Sequence, residues 1–376
     1  VTLGYFDERN TRLAEVTVAS GSPYVYVAAT APVELQSREP LKPVQGIGGA
    51  YSIDSAGGIF GLHSKKSPGG DGAIALDQSD RVSIFSSPDQ STSKSLYTHA
   101  ENAITSGSVS YTRDNSEITT ELRYKTANGK PTVLAHLTHQ GAVKDLVGSY
   151  RSIYGNMPMS IGRAIAYATQ TPQVRSSLDV ASLSAAERTA LVRQVKKDVS
   201  VDTAQIKDTY FGGKQLYKQA QLLQLSSSLG LETETKVSRE RLSRWLTSWF
   251  DNNTSETSFY YDEKAQGVVG EEPAFGSDTE FNDHHFHYGY FIYAAAILAE
   301  HDDAFIKEYR PQVDLLVADI ANYNTDEKLP LRRNYDVYAG HSWASGTAPF
   351  KDGNNQESSS EAINAWTGAA LWANQT

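Results

Sequence analysis

Cysteine is absent from all 376 residues, which removes disulfides and thiolate-held metals from consideration. Basic residues are in deficit, with 34 Lys and Arg against 44 Asp and Glu and a net charge of −10. Nucleic acids and anionic membrane surfaces reward clustered Lys and Arg, so neither is an expected partner. The densest basic group, Arg193 to Lys197, reads as the solvated face of a helix. No apolar run approaches the roughly 20 residues needed to span a bilayer. The chain opens Val1, Thr2, Leu3, without Met and without a basic-then-apolar leader. It therefore reads as a processed or truncated product whose targeting signal is out of view. The zincin pattern His-Glu-x-x-His, a Gly-rich phosphate loop and a Gly-x-Ser-x-Gly elbow are all missing, as is any convincing short-period repeat.

What is present is ordinary in bulk and distinctive in detail. Hydrophobic residues make up 39% and charged residues 21%, as in soluble globular proteins, and the length suggests two or three domains. Tyr numbers 21 and Trp 5. Trp245, Trp249, Trp343, Trp366 and Trp372 all fall late in the chain. Most of these rings belong in a core, but Tyr and Trp also suit a pyranose, whose apolar face stacks on aromatic rings. Sequons at Asn252, Asn253 and Asn374 are near chance for a Ser/Thr-rich chain.

Residues 1–95 read as β. Runs 16–18, 24–27, 59–62 and 82–85 are strand-like, and their Gly- and Pro-rich connections favour an antiparallel sandwich over a parallel sheet. From 96 to 180 the pattern mixes, with alternating segments at 108–111, 118–124 and 132–137. The Asn-Gly-Lys-Pro turn at 128–131 predicts a hairpin between the last two. Beyond 180 the chain turns helical. Ser184 and Glu187 form a capping box that opens a helix towards Lys197. Further helices are expected at 214–229, 235–250, 283–300, 303–322 and from near Glu357, separated by loops, an α-domain of paired helices. The long loop 324–356 is of the kind that carries function.

The run 282–291, Asn-Asp-His-His-Phe-His-Tyr-Gly-Tyr-Phe, crowds one carboxyl, three imidazoles and four aromatic rings into ten residues. Asp283 falls at a helix start, where a carboxylate caps free N–H groups. Capping does not explain its aromatic company. Asp283 and His287 are four apart and can pair, the imidazole steering the carboxyl. His284, His285 and His287 invite a metal, but adjacent helical histidines diverge by about 100° and at most two could share an ion. Packed, hydrogen-bonded roles suit His284 and His285 better.

A second run, 352–366, carries Glu357 and Glu361. Four apart on a helix they would share a face, a repulsion tolerated on a solvated surface or used where raised pKa values matter. With Asp283 they give three carboxyls at the starts of two helices, and paired carboxylates are what glycoside hydrolysis requires. In the long loop, Trp343 with His341 can form a sugar platform, or Trp343 can anchor the loop. Tyr210 to Lys214 can line the same cleft or form a turn before a helix.

These segments resemble glycoside hydrolase family 81, the endo-β-1,3-glucanases. The resemblance rests on 282–291, on Tyr-Ala-Gly-His-Ser-Trp-Ala-Ser-Gly at 338–346 and on Asn-Gln-Glu-Ser-Ser-Ser-Glu at 355–361, with Asp-Thr-Tyr-Phe-Gly-Gly-Lys at 208–214 in support and a weaker match at 43–48. It implies a multidomain α+β protein. An N-terminal antiparallel β-sandwich (1–95) and a small α/β domain (96–180) would precede a C-terminal (α/α)6-type barrel (181–376), with the front of the sandwich and about half of the barrel helices missing. It implies inverting endo-hydrolysis of β-1,3-glucan with no cofactor or metal, Asp283 as general acid, Glu357 as general base and Glu361 assisting. His287, Tyr290, Asp336, His341 and Trp343 would be substrate-binding. A monomer working outside the cell or at the wall is the implied setting. A glucan-binding protein without turnover is the alternative. Glu361 beside Glu357 is expected to raise at least one pKa of that pair.

Overall fold

A computed structural model describes every residue except Asn115, 252–256, 325–327, Pro349 and Asp352, and the side chain of Gln90. The sequons at Asn252 and Asn253 therefore lie outside the described residues. The chain divides into two compact units, Val1–Thr171 with Val337–Ala339, and Pro172–Asp336 with Gly340–Thr376.

The first unit opens with β1 (Thr2–Phe6), β2 (Arg12–Val18), β3 (Tyr24–Ala29), β4 (Val33–Gln36), β5 (Lys42–Pro43), β6 (Ala50–Ser55), β7 (Gly58–Ser64), β8 (Ala73–Leu76) and β9 (Arg81–Ser86). Seven of these form one sheet in the order β1-β2-β3-β9-β7-β6-β5, while β4 pairs with β8. Helix α1 (Gln90–His99) follows, then β10 (Ile104–Asp114), β11 (Glu117–Thr126), β12 (Thr132–Ala135), β13 (Leu146–Ser152), β14 (Gly155–Gly162) and β15 (Ala164–Gln170). These strands make two further sheets, β10-β11-β15 and β12-β14-β13. Every ladder of the unit is antiparallel, as the short strands and turn-rich connections predict.

Two local expectations fail here. The expected all-β stretch to residue 95 is interrupted by α1, whose N-cap Asp89 accepts the Thr92 N–H. The turn at 128–131 forms, with Lys130 N–H donating to Asn128 Oδ1 and Gly129 at φ 71°. It does not make a hairpin, because β11 and β12 belong to different sheets. Turn chemistry fixes a reversal of the chain but not the partner of the strand that leaves it. One core joins Tyr24, Tyr26 and Phe85 to Leu122, Leu134 and Ile165. The boundary expected at 95/96 thus runs through a single apolar cluster.

The second unit carries α2 (Ala185–Ser200), α3 (Phe211–Ser228), α4 (Glu232–Thr247), β16 (Phe259–Asp262), β17 (Gly267–Gly270), α5 (His284–Ala299), α6 (Asp303–Ala321), β18 (Tyr335–Asp336), β19 (His341–Ser342) and α7 (Ser359–Gln375). The predicted helices all form, and the capping box of α2 is made by Ser184 and Glu187. Their connections are not loops alone, since β16 pairs with β17 and β18 with β19. The long loop is therefore organised around a small hairpin. Helix α5 packs between α3 and α7, α4 lies against α3, and α6 against α5. All sixteen residues of α5 are buried, as expected of a helix apolar on every side.

Close approach between helices needs residues without bulk. A Cβ on Gly289 of α5 would lie 2.5 Å from the Cβ of Ala365 on α7. Helices α5 and α7 meet there, and their N-terminal ends are held side by side. A Cβ on Gly213 of α3 would lie 3.1 Å from Tyr290 Cβ and 3.2 Å from the His287 carbonyl, so the Gly-Gly pair at 212–213 seats the start of α3 against α5.

Candidate active site

The three sequence runs converge through the backbone. Asp283 N–H donates to the Ala344 carbonyl at 2.8 Å, and Ala344 N–H donates to the Asn355 carbonyl at 2.9 Å. Asn354 Nδ2 reinforces the join by donating to the Ser345 carbonyl at 2.6 Å. The start of α5, the segment after β19 and the segment before α7 are thereby stitched into one surface. Main-chain bonds place the carboxyls, independently of any side-chain pairing.

Asp283 occupies the N-cap position of α5 but makes no side-chain capping bond, and its backbone is left-handed at φ 57°. Its main-chain carbonyl accepts the Phe286 and His287 N–H groups, while Oδ1 meets no hydrogen-bond partner among the described residues. The capping role expected of this carboxylate is thus not performed. Burial pushes the carboxyl up to about 7, with the charges of Glu357 and Glu361 adding to the shift. An aspartic acid half-withdrawn from water beside two glutamates holds its proton near neutrality.

Glu357 precedes the N-cap of α7, Ser358, and is also left-handed at φ 61°. Its side chain is exposed. Glu357 and Glu361 therefore do not share a helix face as their spacing predicted, because the helix begins only after Glu357. Left-handed backbone costs about 1–2 kcal/mol for a non-glycine residue. Two of the three carboxyls sit on such backbone, the kind of strain that collects at functional sites.

Glu361, in the first turn of α7, is held by two tyrosines. Tyr290 OH donates to Oε1 at 2.6 Å and Tyr210 OH to the same oxygen at 3.1 Å. Lys214 Nζ stands 3.3 Å from the Tyr210 hydroxyl. Burial works to raise the Glu361 pKa, but the hydrogen bonds of Tyr290, Ser358 and Tyr210 and the charge of Lys214 outweigh it and hold the carboxyl below its ordinary range. Proximity of the two glutamates does not lift Glu361. The group they lift is Asp283.

The histidines separate by role. Fully buried His284 brings Nδ1 to 2.5 Å from Asp319 Oδ2 and donates from Nε2 to the Ser277 carbonyl at 2.7 Å. His287 pairs through Nδ1 with Thr209 Oγ1 at 2.8 Å and packs under the Tyr210 ring, 5.2 Å between centroids. Its expected pairing with Asp283 is not made, and Nε2 has no partner among the described residues. Burial, with the charges of His284 and His285, lowers His287 to about 3. Burial and His284 likewise lower His285 to about 4. Among the described residues no three His, Asp or Glu side chains are grouped to hold a metal ion.

Asp336 and His341 face each other across the β18–β19 hairpin. Trp343 is half-buried, with its indole N–H donating to Asp336 Oδ2 at 3.3 Å and its ring against His341, 4.5 Å between centroids. Trp245, Trp249 and Trp372 are core residues. Tyr210 lies at the N-cap of α3, where Asp208 Oδ1 accepts the Tyr210 and Phe211 N–H groups, so 210–214 forms the helix entry expected of it.

Sequence reasoning missed Asp319 and Arg333. Asp319 is fully buried in α6 and receives Arg333 Nη2 at 3.0 Å, Val268 N–H at 2.9 Å and His284. Burial alone would raise its pKa, but His284 and Arg333 hold it below the ordinary range. This buried cluster anchors the residue next to Asp283.

Residues 181–376 match the family described as glycosyl hydrolase family 81 C-terminal domain. The glucan endo-1,3-beta-D-glucosidase of Acetivibrio thermocellus is 37% identical over 281 residues, 71% of this chain and 36% of the relative. The corresponding protein of Thermobifida fusca is 32% identical over 389 residues, 96% of this chain and 50% of the relative. A solved structure of the family 81 glycoside hydrolase of Clostridium thermocellum, in a mutant form, shares the fold with a TM-score of 0.86 at 31% identity, covering 96% of this chain and 54% of that one. The chain spans about half or less of the length of these relatives. With its family match over residues 181–376 and its carboxyl site built from that segment, the chain belongs to glycosyl hydrolase family 81.

Proposed function

We propose that the site hydrolyses β-1,3-glucan internally, with inversion at the anomeric carbon. Asp283 donates its proton to the glycosidic oxygen as the bond from that oxygen to the anomeric carbon breaks. Glu357 takes a proton from a water whose oxygen forms the new bond to that carbon. Glu361 assists as a neighbouring carboxylate. The observation that carries this reading is Asp283 itself, held near 7 by burial and two glutamates, with one oxygen unpartnered. An acid that keeps its proton at neutral pH beside an exposed carboxylate is the pairing the chemistry needs.

Trp343, oriented by Asp336 and braced by His341, offers a stacking surface for a glucosyl ring. His287 serves from beneath, by supporting Tyr210, and Tyr290 by holding Glu361. Helices α3, α5 and α7 side by side, with α4 and α6 packed against two of them, suit one segment of an (α/α)6 barrel following the β-rich sandwich and linking regions. A β-1,3-glucan substrate implies action outside the cell or at a wall. Among the described residues no helix is long and apolar enough to cross a membrane.

The test is release of reducing ends from a soluble β-1,3-glucan. Asp283→Asn and Glu357→Gln are each expected to lower turnover by about 10³-fold, within the usual range for general acid–base catalysis. Retained turnover in both variants would refute the assignment. Binding to insoluble glucan without any product from the unsubstituted protein would favour the glucan-binding alternative.

A further inference from the structure

We propose that Tyr290 and Tyr210 are positioning residues that fix Glu361 as a permanent anion, and that this anion acts on the reaction only through Asp283. The inference rests on the proposed function, because it divides the labour among the same three carboxyls.

The hydrogen-bond directions are determined by the groups involved. Lys214 carries only donors, so at 3.3 Å from the Tyr210 hydroxyl it donates to that oxygen. The single hydrogen of Tyr210 is then free to point at Glu361 Oε1. Tyr290, only 5% exposed, spends its own hydrogen on the same oxygen from a second helix. A third contact, the Glu361 N–H donating to Ser358 Oγ at 3.3 Å, ties down the backbone beneath. A carboxylate oxygen receiving two O–H donors is stabilised in its charged form.

That arrangement suits a fixed charge and not a proton carrier. A general base must accept a proton readily, and Oε1 of Glu361 is already engaged by two hydrogens. Glu357 is exposed, and its carboxyl makes no such hydrogen bonds among the described residues. The groups facing Glu361 are Asp283 at the N-cap of α5, His285 and Tyr290 from α5, Tyr210 and Lys214 from the start of α3, and Ser358 at the N-cap of α7. His285 is lowered to about 4 and so is neutral at working pH, leaving Lys214 as the positive neighbour, separated from Glu361 by the Tyr210 hydroxyl. The Glu361 charge reaches Asp283, after burial and the charge of Glu357, and like charge favours the protonated acid there.

The consequence has a definite sign. An acid catalyst is lost as pH rises through its folded-state pKa, so the alkaline limb of kcat/KM reports Asp283. Removing the Glu361 charge lets Asp283 ionise earlier, and the limb moves to lower pH. The experiment is a set of pH–rate profiles on soluble β-1,3-glucan for the intact enzyme and its Glu361→Gln, Tyr290→Phe and Asp283→Asn variants, with thermal melting to confirm folding. Glu361→Gln is expected to move the alkaline limb down by about one unit, so that its loss of kcat/KM relative to the intact enzyme grows by about tenfold between about pH 5 and pH values above about 7. Tyr290→Phe, which leaves the charge but frees it to move, shifts the limb the same way by less.

An unmoved limb in Glu361→Gln would overturn the inference, as would a loss of turnover at every pH equal to that of Asp283→Asn. The first result says that the charge does not reach Asp283, the second that Glu361 itself transfers a proton. Either leaves the acid–base reading standing provided Asp283→Asn is inactive. Activity in Asp283→Asn would instead refute that reading. If Tyr290→Phe does not fold, the Glu361→Gln profile alone decides.

Discussion

Asp283 and Asp319 are both withdrawn from water in the helical unit, and their surroundings drive them in opposite directions. Asp319 has an arginine, a histidine and a backbone N–H turned towards it and is held ionised despite complete burial. Asp283 has two glutamates for neighbours and an oxygen with no partner among the described residues, and its carboxyl is held near 7. His284 joins the two places, following Asp283 in the chain and pairing with Asp319 in space. Burial alone does not decide whether a carboxyl is ionised. The sign of the charges brought to it does.

The comparison can be broken most heavily at Asp319. Asp319→Ala strands Arg333 and His284 in the interior and is expected to cost about 3–4 kcal/mol of stability, the usual penalty for breaking a buried ion pair. Denaturant unfolding measures it, and a loss below about 1 kcal/mol would show the cluster to be dispensable. Gly289→Ala disturbs the other side without touching a charge. Its Cβ would drive into Ala365, and although Ala favours a helix by about 1 kcal/mol, overpacking should win, for a net loss of about 1–2 kcal/mol. Separating α5 from α7 also weakens the hold of Glu361 on Asp283, so the alkaline limb of activity should move down together with the melting temperature.

The smallest effect has the opposite sign. The folded-state pKa of Asp283 lies above its ordinary value of 3.8. The folded protein therefore binds more protons than the unfolded chain between about pH 4 and 7, and stability falls as pH rises through that window. Asp283→Asn removes the ionisation cost and should stabilise the protein by about 1 kcal/mol at pH 8, after allowing for partial exposure and solvent screening. Below pH 4 the difference should vanish. A variant that loses activity while gaining stability at high pH marks a functional carboxyl. A variant that loses both would place Asp283 with Asp319.

Much of this was legible in the sequence, in proportion to how local the signal was. The capping box at Ser184 and Glu187, the helix that follows Asp283 and the antiparallel strands were all readable because their causes lie within a few residues. The run 282–291 stood out through its mixture of carboxyl, imidazole and aromatic groups, and the structure brings Asp283 within the influence of Glu357 and Glu361. What escaped notice depends on distant partners. Asp319 lies within a helix, where an aspartate reads as part of a solvated face, and its partners His284 and Arg333 are remote in the chain. Helix α1 is polar and short, with no apolar stripe to announce it. The spacing of Glu357 and Glu361 suggested one helix face, yet a left-handed residue before the Ser358 cap moved the helix start by two positions. The hydrogen bond from Tyr290 to Glu361 was not readable because the two residues lie 71 positions apart.

The central claim is that Asp283 keeps its proton to near neutral pH. A carboxyl carbon NMR titration, with the Asp283 resonance assigned by its absence from Asp283→Asn, measures that property at the residue itself. The account predicts a midpoint at about 7. A midpoint near the ordinary aspartate value of about 3.9 would contradict it.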